Sequence, residues 1–111
     1  INGSRILVLG VAYKRDVGDV RDSPALDVIH LLRQRGADVC FHDPFIDRVQ
    51  LDGYGLAGTA LTAASLATAD CVVVVTDHSA YDWEWIGSHA RLIVDTRNAL
   101  KGRVASRVVT L

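Results

Sequence analysis

The basic side chains are the residues best suited to chemistry in this sequence. Lys14, Arg15 and Arg21 share one stretch between Gly10 and Asp22, and Arg97 lies much further along the chain. Lysine binds a phosphate as a point charge, whereas arginine offers a planar fork of two donors. Two cations from separate loops that meet at one place would therefore suit a diphosphate.

The same cations also have an ordinary structural interpretation, in which each is a solvated surface charge with a nearby carboxylate partner. The available partners are Asp16, Asp19, Asp22 and Asp95. Arg21 lies just before Ser23-Pro24, so it could simply order its own loop through neighbouring carboxylates. Which of the two interpretations holds depends on where the loops meet in the fold.

Patterns typical of other sites are missing from the sequence. The histidines show no H-x-x-x-H spacing and there is no CxxC pair, so no metal site is predicted. There is no G-x-S-x-G turn for a nucleophile, so no catalytic residue is predicted in this chain. His42 and His78 could instead form a hydrogen-bonded polar pair with Asp43 and Asp77.

Length and composition favour one small domain that spans residues 1–111, with half of its residues hydrophobic. Twelve basic residues against thirteen acidic ones give no broad positive field, so neither nucleic acid nor a membrane is expected as a partner. No signal peptide or membrane span is recognised, which favours a cytoplasmic location. Because the chain starts very close to its first element, we expect a domain that belongs to a larger protein.

Both cysteines lie in apolar, strand-like runs. Cys40 and Cys71 are therefore expected to be buried free thiols. A disulfide between adjacent strands is the alternative.

Apolar runs and capping residues predict alternating strands and helices. The predicted strands are Arg5–Leu9, Asp38–His42, Cys71–Thr76 (central), Arg91–Asp95 and, at an edge, Arg107–Leu111. The predicted helices run from Ser23-Pro24 to a stop at Gly36, over Ile46–Leu51 before a Gly53-Tyr-Gly55 turn, from Thr62 through Ala69, and over Asp82–His89. This order predicts an α/β fold with a doubly wound, mostly parallel sheet and helices on both faces, which is Rossmann-like.

Ligands of such sheets bind beyond the carboxyl ends of the strands. The loops that follow Leu9, His42, Thr76 and Asp95 are therefore the candidate site, and they include the basic residues. A dinucleotide fingerprint would need G-x-G-x-x-G, but here Gly10 is followed by Val-Ala-Tyr-Lys-Arg. Asp43 does occupy the position where an acidic residue could hold a ribose. Independent dinucleotide binding is nevertheless not expected.

The stretch Leu9-Gly-Val-Ala-Tyr-Lys-Arg-Asp-Val-Gly-Asp-Val-Arg-Asp-Ser-Pro-Ala25 resembles the C-terminal, UDP-binding domain of the UDP-glucose/GDP-mannose dehydrogenase family. Asp43-Pro44, Thr76-Asp-His78 and Asp95-Thr-Arg-Asn98 follow in the family's order, so the resemblance covers nearly the whole chain. Within the family, the first motif looks most like that of UDP-N-acetylglucosamine and UDP-N-acetylmannosamine 6-dehydrogenases. UDP-glucose dehydrogenases often have Phe-Lys at the Tyr-Lys position, and GDP-mannose dehydrogenases diverge more in this loop.

The resemblance implies a role for this chain as one part of an enzyme. Members oxidise the sugar 6-hydroxyl to a carboxylate in two NAD-dependent steps, with an N-terminal NAD-binding domain, a central dimerising segment and a catalytic cysteine outside this domain. It implies that Tyr13, Lys14 and Arg97 line the nucleotide-sugar site and that Arg21 reaches toward NAD. The isolated chain is then expected to be inactive. In its full-length form it would be a homodimer in the synthesis of polysaccharide precursors.

Two other functions remain open on the sequence. A stand-alone signalling or binding module, such as a receiver-like domain, would have a suitable size and sheet. It would need an acidic cluster after its first strand, however, where this sequence has Gly10. A purely structural interaction domain could use the cluster of Tyr81, Trp83 and Trp85, which we otherwise interpret as packing.

Overall fold

The main sheet is built from short apolar strands that are covered on both faces. The computed structural model describes residues 3–20, 23–51, 53–97, 99–100 and 107–110. The elements, in chain order, are β1 (Arg5–Leu9), α1 (Pro24–Gln34), β2 (Asp38–His42), β3 (Arg48–Leu51), β4 (Tyr54–Ala57), α2 (Ala63–Thr68), β5 (Cys71–Val74), α3 (Trp83–His89), β6 (Leu92–Asp95) and β7 (Arg107–Thr110). Five parallel strands form a sheet in the order β2-β1-β5-β6-β7, and β3 pairs with β4 in a separate antiparallel hairpin.

Side chains of β1 alternate between the two faces of this sheet, as the period of a strand requires. Leu7 and Leu9 join the core that includes residues of α2 and α3. Ile6 and Val8 join the opposite core, with residues of α1 and the β3–β4 hairpin. The predicted α/β fold, with a parallel sheet and helices on both faces, is confirmed. The central position of β5 and the edge position of β7 also agree with the prediction.

Capping residues set the helix starts as the sequence indicates. Ser23 accepts a hydrogen bond from Ala25 N at 3.2 Å, with Pro24 in the first helical turn of α1. Gly36 follows α1 with φ of +88°, a left-handed stop that suits glycine. Thr62 and Asp82 cap α2 and α3 in the same way, so the three predictions hold.

One predicted element is wrong. Residues 46–51 form no helix; instead Arg48–Leu51 is β3, and Gly53, with φ of +84°, turns the chain into β4. Val49 and Leu51 are buried while Arg48 and Gln50 are exposed, which is the alternation of a strand with one buried face. The expected glycine turn is thus reduced to Gly53, since Gly55 already lies in β4.

The two cysteines are free, as predicted, but both are only partly buried rather than buried. Cys40 packs against the α2–α3 side and Cys71 against the α1 side, and β1 separates their strands. A disulfide between them is therefore ruled out by the fold. Partial burial raises the pKa of both thiols, which lowers their nucleophilicity.

No helix among the described residues is long and apolar enough to cross a membrane.

Gly10 lies where the end of β1 closely approaches the backbone of Thr76, in the segment after β5. Its φ is +86°, and a Cβ there would lie 2.6 Å from the Cβ of Thr76. Its N–H donates to His42 O at 2.9 Å, so the same residue also ties β1 to the end of β2. The position therefore requires glycine for two independent reasons, the left-handed φ and the lack of space for a Cβ beside Thr76.

The Gly10→Ala variant is expected to lose ~1–2 kcal/mol of stability from the left-handed backbone and about 1–3 kcal/mol more from the clash. Gly53→Ala is the matched control, because Gly53 has φ of +84° but no described atom lies within 4 Å of the position that its Cβ would take. Urea denaturation measures both free energies of unfolding. Equal losses in the two variants would contradict the close approach of Gly10 and Thr76.

Candidate functional site

A cleft of about 390 Å³ opens at the carboxyl ends of the parallel strands. It is lined by Tyr13, Lys14, Arg15, Thr76, Asp77 and Arg97. The fold thus brings together Tyr13, Lys14 and Arg97, three of the residues singled out from the sequence. Arg21, the fourth, lies outside the described residues.

The cations of the cleft are not equivalent. Arg15 forms an ion pair with Asp77, which offsets its charge. Asp77 is not among the carboxylate partners that the sequence suggested for the basic residues. Lys14 and Arg97 form no ion pair with any residue in the described part of the chain, so their two charges stay available for an anion.

Arg97 is held in place from two directions. The buried Asp95 carboxylate accepts hydrogen bonds from Arg97 N, Ala99 N and Leu100 N, each at 3.0 Å, which fixes the loop after β6. Arg97 Nε donates to Val75 O at 2.9 Å, which sets the direction of the guanidinium group. The terminal nitrogens form no hydrogen bond to the described residues and can therefore meet a ligand.

Tyr13 and Lys14 form the opposite wall of the cleft. Tyr13 is 46% exposed as a residue, and Lys14 Nζ lies 5.5 Å from the centroid of its ring. The backbone here is tied down as well, since Tyr13 N donates to Asp19 O at 2.6 Å. An exposed ring beside a free ammonium offers one apolar and one cationic surface to the same ligand.

A buried carboxylate supports this wall from below. Asp43, whose side chain is fully buried, accepts hydrogen bonds from Val11 N at 2.8 Å and from Ala12 N at 3.1 Å. Phe45 N donates to its other oxygen at 2.8 Å, and His78 Nε2 lies 2.8 Å from the first. Both oxygens of the carboxylate accept hydrogen bonds from the protein, and the side chain is not exposed. Asp43 therefore cannot hold a ribose, and that interpretation of it is wrong.

His78 links the loop after β1 to the loop after β5. Its Nδ1 accepts a hydrogen bond from Asp16 N at 2.8 Å, so the ring proton resides on Nε2 and is donated to Asp43. Asp16 has φ of +61°, and its carboxylate accepts from Ser79 Oγ at 2.6 Å and Ser79 N at 2.8 Å. The hydrogen bonds from Ser79 lower the pKa of Asp16.

The expected pairing of His42 with His78 takes a different form. Tyr81 donates its hydroxyl proton to His42 O at 2.8 Å, so His42 Nδ1 must donate to the Tyr81 oxygen at 3.1 Å. Both imidazoles contact the Tyr81 ring, while Asp43 binds His78 and Asp77 pairs with Arg15. Burial lowers the pKa of His42 and raises that of Tyr81.

The tryptophans belong to the packing of the fold. Trp83 and Trp85 are half-buried against the α2–α3 core, and Trp83 contacts the Tyr81 ring at 5.1 Å between centroids. Their interpretation as packing residues is therefore supported. No group of three or more His, Cys, Asp or Glu side chains within the described ranges is arranged to hold a metal ion.

Comparison with known proteins identifies the domain. Residues 7–102 match the model of the UDP-glucose/GDP-mannose dehydrogenase family, UDP binding domain. The chain belongs to this family. It is 34% identical over 102 residues to the UDP-N-acetyl-D-mannosamine dehydrogenase of Pyrococcus horikoshii, a match over 86% of this chain and 22% of that protein. It is 37% identical over 106 residues to the UDP-glucose 6-dehydrogenase of Rhizobium meliloti, over 88% and 24%.

Solved structures of this dehydrogenase family share the fold. The UDP-D-ManNAc dehydrogenase structure from Pyrococcus horikoshii matches 98% of this chain with a TM-score of 0.75 and 28% identity. The UDP-N-acetyl-mannosamine dehydrogenase Cap5O from Staphylococcus aureus matches 99% with a TM-score of 0.76 and 29% identity. The chain spans about a quarter of the length of these proteins, 25% and 26% respectively.

Replacement of the Asp43 carboxylate by an amide is expected to lower the free energy of unfolding by ~2–3 kcal/mol, since Asp43→Asn puts a donor where buried N–H groups need an acceptor. Asp70→Asn is the matched control, because Asp70 is an exposed carboxylate that accepts from Arg5 N and pairs with Arg91. Its loss should stay below about 1 kcal/mol. Urea denaturation distinguishes the two, and similar losses would argue against a special role for Asp43.

The lowered pKa of His42 predicts a pH dependence of stability. The folded state binds the proton less well than the unfolded chain, whose value is near 6.5, so stability is complete above that pH and is lost as pH falls through the folded pKa. The His42→Asn variant keeps a donor toward Tyr81 but cannot titrate, so it should lose less stability between about pH 7.5 and about pH 5. Urea midpoints at both pH values test this, and parallel behaviour of variant and wild type would refute it. The Asp16 carboxylate does not interfere, since its lowered pKa places its transition below 3.8.

Proposed function

We propose that this chain is the UDP-binding part of an NAD-dependent nucleotide-sugar 6-dehydrogenase, and that its cleft holds the diphosphate of a UDP-sugar. The observation that carries the proposal is the pair of cations, Lys14 and Arg97. They come from separate loops, line one cleft, and form no ion pair with the described residues. A diphosphate carries two adjacent negative groups that match such a pair.

Each lining residue has a role that its setting supports. Lys14 acts as a mobile point charge on the diphosphate, whereas Arg97, held through Nε, directs its terminal nitrogens as a fixed fork. The exposed ring of Tyr13 supplies an apolar surface for the nucleoside. Asp77 holds Arg15, so that Arg15 adds little charge at the cleft.

The domain is not suited to hold NAD on the turn after β1. In a dinucleotide-binding fold the N–H groups of that turn bind the pyrophosphate. Here the N–H groups of Val11 and Ala12 are already donated to the buried Asp43 carboxylate. We therefore assign NAD mainly to a separate N-terminal domain. The predicted approach of Arg21 to NAD remains a prediction.

The rest of the reaction is assigned to parts of a larger enzyme. The sugar C6 hydroxyl would be oxidised to a carboxylate, giving a UDP-uronic acid, by a cysteine that lies outside this domain. Cys40 and Cys71 are unsuited to that role because partial burial raises the pKa of their thiols. Partners would be the N-terminal and central domains of the same enzyme, in a cytoplasmic homodimer. The chain alone is expected to have no activity.

Relatives named for two classes of nucleotide sugar match this chain. One relative is named for UDP-N-acetyl-D-mannosamine and another for UDP-glucose, at similar identity to this chain. Both share UDP, so the proposal is confined to the UDP part of the ligand, with a UDP-N-acetylhexosamine favoured by the Tyr13-Lys14 motif.

Calorimetric titration with UDP is expected to show binding to the wild-type chain and at least about tenfold weaker binding to Lys14→Ala and to Arg97→Ala, because each loses a charge-assisted contact. Arg91→Ala is the matched control. Arg91 lies just before β6, pairs with Asp70, and is remote from the cleft. Unchanged binding in Lys14→Ala and Arg97→Ala would contradict the proposed site and favour a structural module instead.

A further inference from the structure

The segment that forms one wall of the cleft is attached at both of its ends to the same buried pair. Val11 N and Ala12 N donate to Asp43 at its start, and Asp16 N donates to His78 Nδ1 at its end. The three residues between these attachments are the lining residues Tyr13, Lys14 and Arg15. The hydrogen bond between His78 Nε2 and Asp43, at 2.8 Å, closes the connection.

His78 is fully shielded from solvent. Its residue exposure is 0%, and the rings of Phe45 and Tyr81 lie 5.0 and 6.0 Å from its own, between centroids. The charged groups that face it are the carboxylates of Asp43 and Asp16, the latter at 3.8 Å from Nδ1. One neutral imidazole therefore serves as acceptor on one side and donor on the other.

The attachment at Asp16 fixes an unusual backbone conformation. Asp16 has φ of +61°, a left-handed value that costs a residue with a Cβ about 1–2 kcal/mol. Its N–H is directed to His78, and its carboxylate is held by Ser79. Without the bond to His78, this turn would be free to relax toward an ordinary conformation, and Lys14 and Arg15 would move with it.

We propose that His78 is a positioning residue for the UDP site: held by Asp43, it fixes the turn at Asp16 and thereby sets the directions of Tyr13 and Lys14. The expected effect of His78 on UDP binding rests on the proposed function. Its effect on the conformation of residues 13–16 does not depend on any ligand. His78 itself is not among the residues that line the cleft.

Two substitutions separate the two sides of the imidazole. The Oδ1 atom of an asparagine occupies the place of Nδ1, so His78→Asn keeps an acceptor for Asp16 N but loses the reach to Asp43. The amide nitrogen of a glutamine reaches the place of Nε2, so His78→Gln keeps a donor to Asp43 but leaves Asp16 N without its acceptor. Only the second substitution removes the attachment of the turn.

The experiment combines amide NMR of the chain with a UDP titration. In the wild type, nitrogen NMR of the imidazole should show the proton on Nε2, and Asp16 N–H should exchange slowly. In His78→Gln, exchange at Asp16 should accelerate by about tenfold or more, the amide signals of residues 13–16 should shift, and UDP affinity should fall by about tenfold. His78→Asn keeps the acceptor for Asp16 N, so its exchange at Asp16 should be slower and its UDP affinity higher than in His78→Gln. His30→Gln, on α1 and away from the cleft, is the matched control.

The outcomes distinguish this proposal from the proposed function. Normal UDP affinity and unchanged signals of residues 13–16 in His78→Gln would overturn the positioning role, even with binding lost in Lys14→Ala. Absence of UDP binding by the wild type would count against the proposed function alone, because the tautomer, the exchange rate and the rescue by asparagine still decide the positioning role. If His78→Asn and His78→Gln both unfold, the wild type alone still decides the positioning role. A proton on Nδ1 of His78, or fast exchange of Asp16 N–H, would overturn it, whereas a proton on Nε2 together with slow exchange would support it.

Discussion

The fully buried carboxylate of Asp43 is the interaction on which the site edge of this domain depends. A buried charge is tolerated only when hydrogen bonds replace its lost hydration. Asp43 obtains them from three backbone N–H groups and from His78. These donors come from the segments after β1, β2 and β5, so satisfying one charge also sets the relative positions of three loops.

This arrangement exchanges one kind of anion site for another. The backbone N–H groups after β1 could have received a ligand's phosphates, but an internal carboxylate uses them. Positive charge for an external anion would then have to come from side chains, and in our proposal Lys14 and Arg97 supply it. The domain keeps the parallel sheet of a dinucleotide-binding fold. In its first loop, however, the backbone N–H groups of Val11 and Ala12 bind an internal carboxylate, and the cationic side chain of Lys14 is left for an anion.

The cleft is also shaped by which charges are cancelled. Asp77 forms an ion pair with Arg15, and both oxygens of Asp95 accept hydrogen bonds from backbone N–H groups of its own loop. Neither carboxylate therefore opposes an anion near Lys14 or Arg97.

The sequence by itself determined the five strands of the parallel sheet, the starts of the three helices and the loops that form the site. Those features depend on local causes: apolar runs, capping side chains, and the rule that parallel strands share one carboxyl edge. The family resemblance and the grouping of Tyr13, Lys14 and Arg97 followed from the same stretches. Only the tertiary structure decided that residues 48–51 form a strand. Four residues of alternating polar and apolar character are too few to indicate a strand until a partner such as β4 pairs with them. It also decided that Arg15 pairs with Asp77 and that Asp43 binds backbone and His78 rather than a ligand. Apart from Phe45, those partners lie more than thirty residues apart along the chain, and only the packing of the sheet brings them within hydrogen-bonding distance.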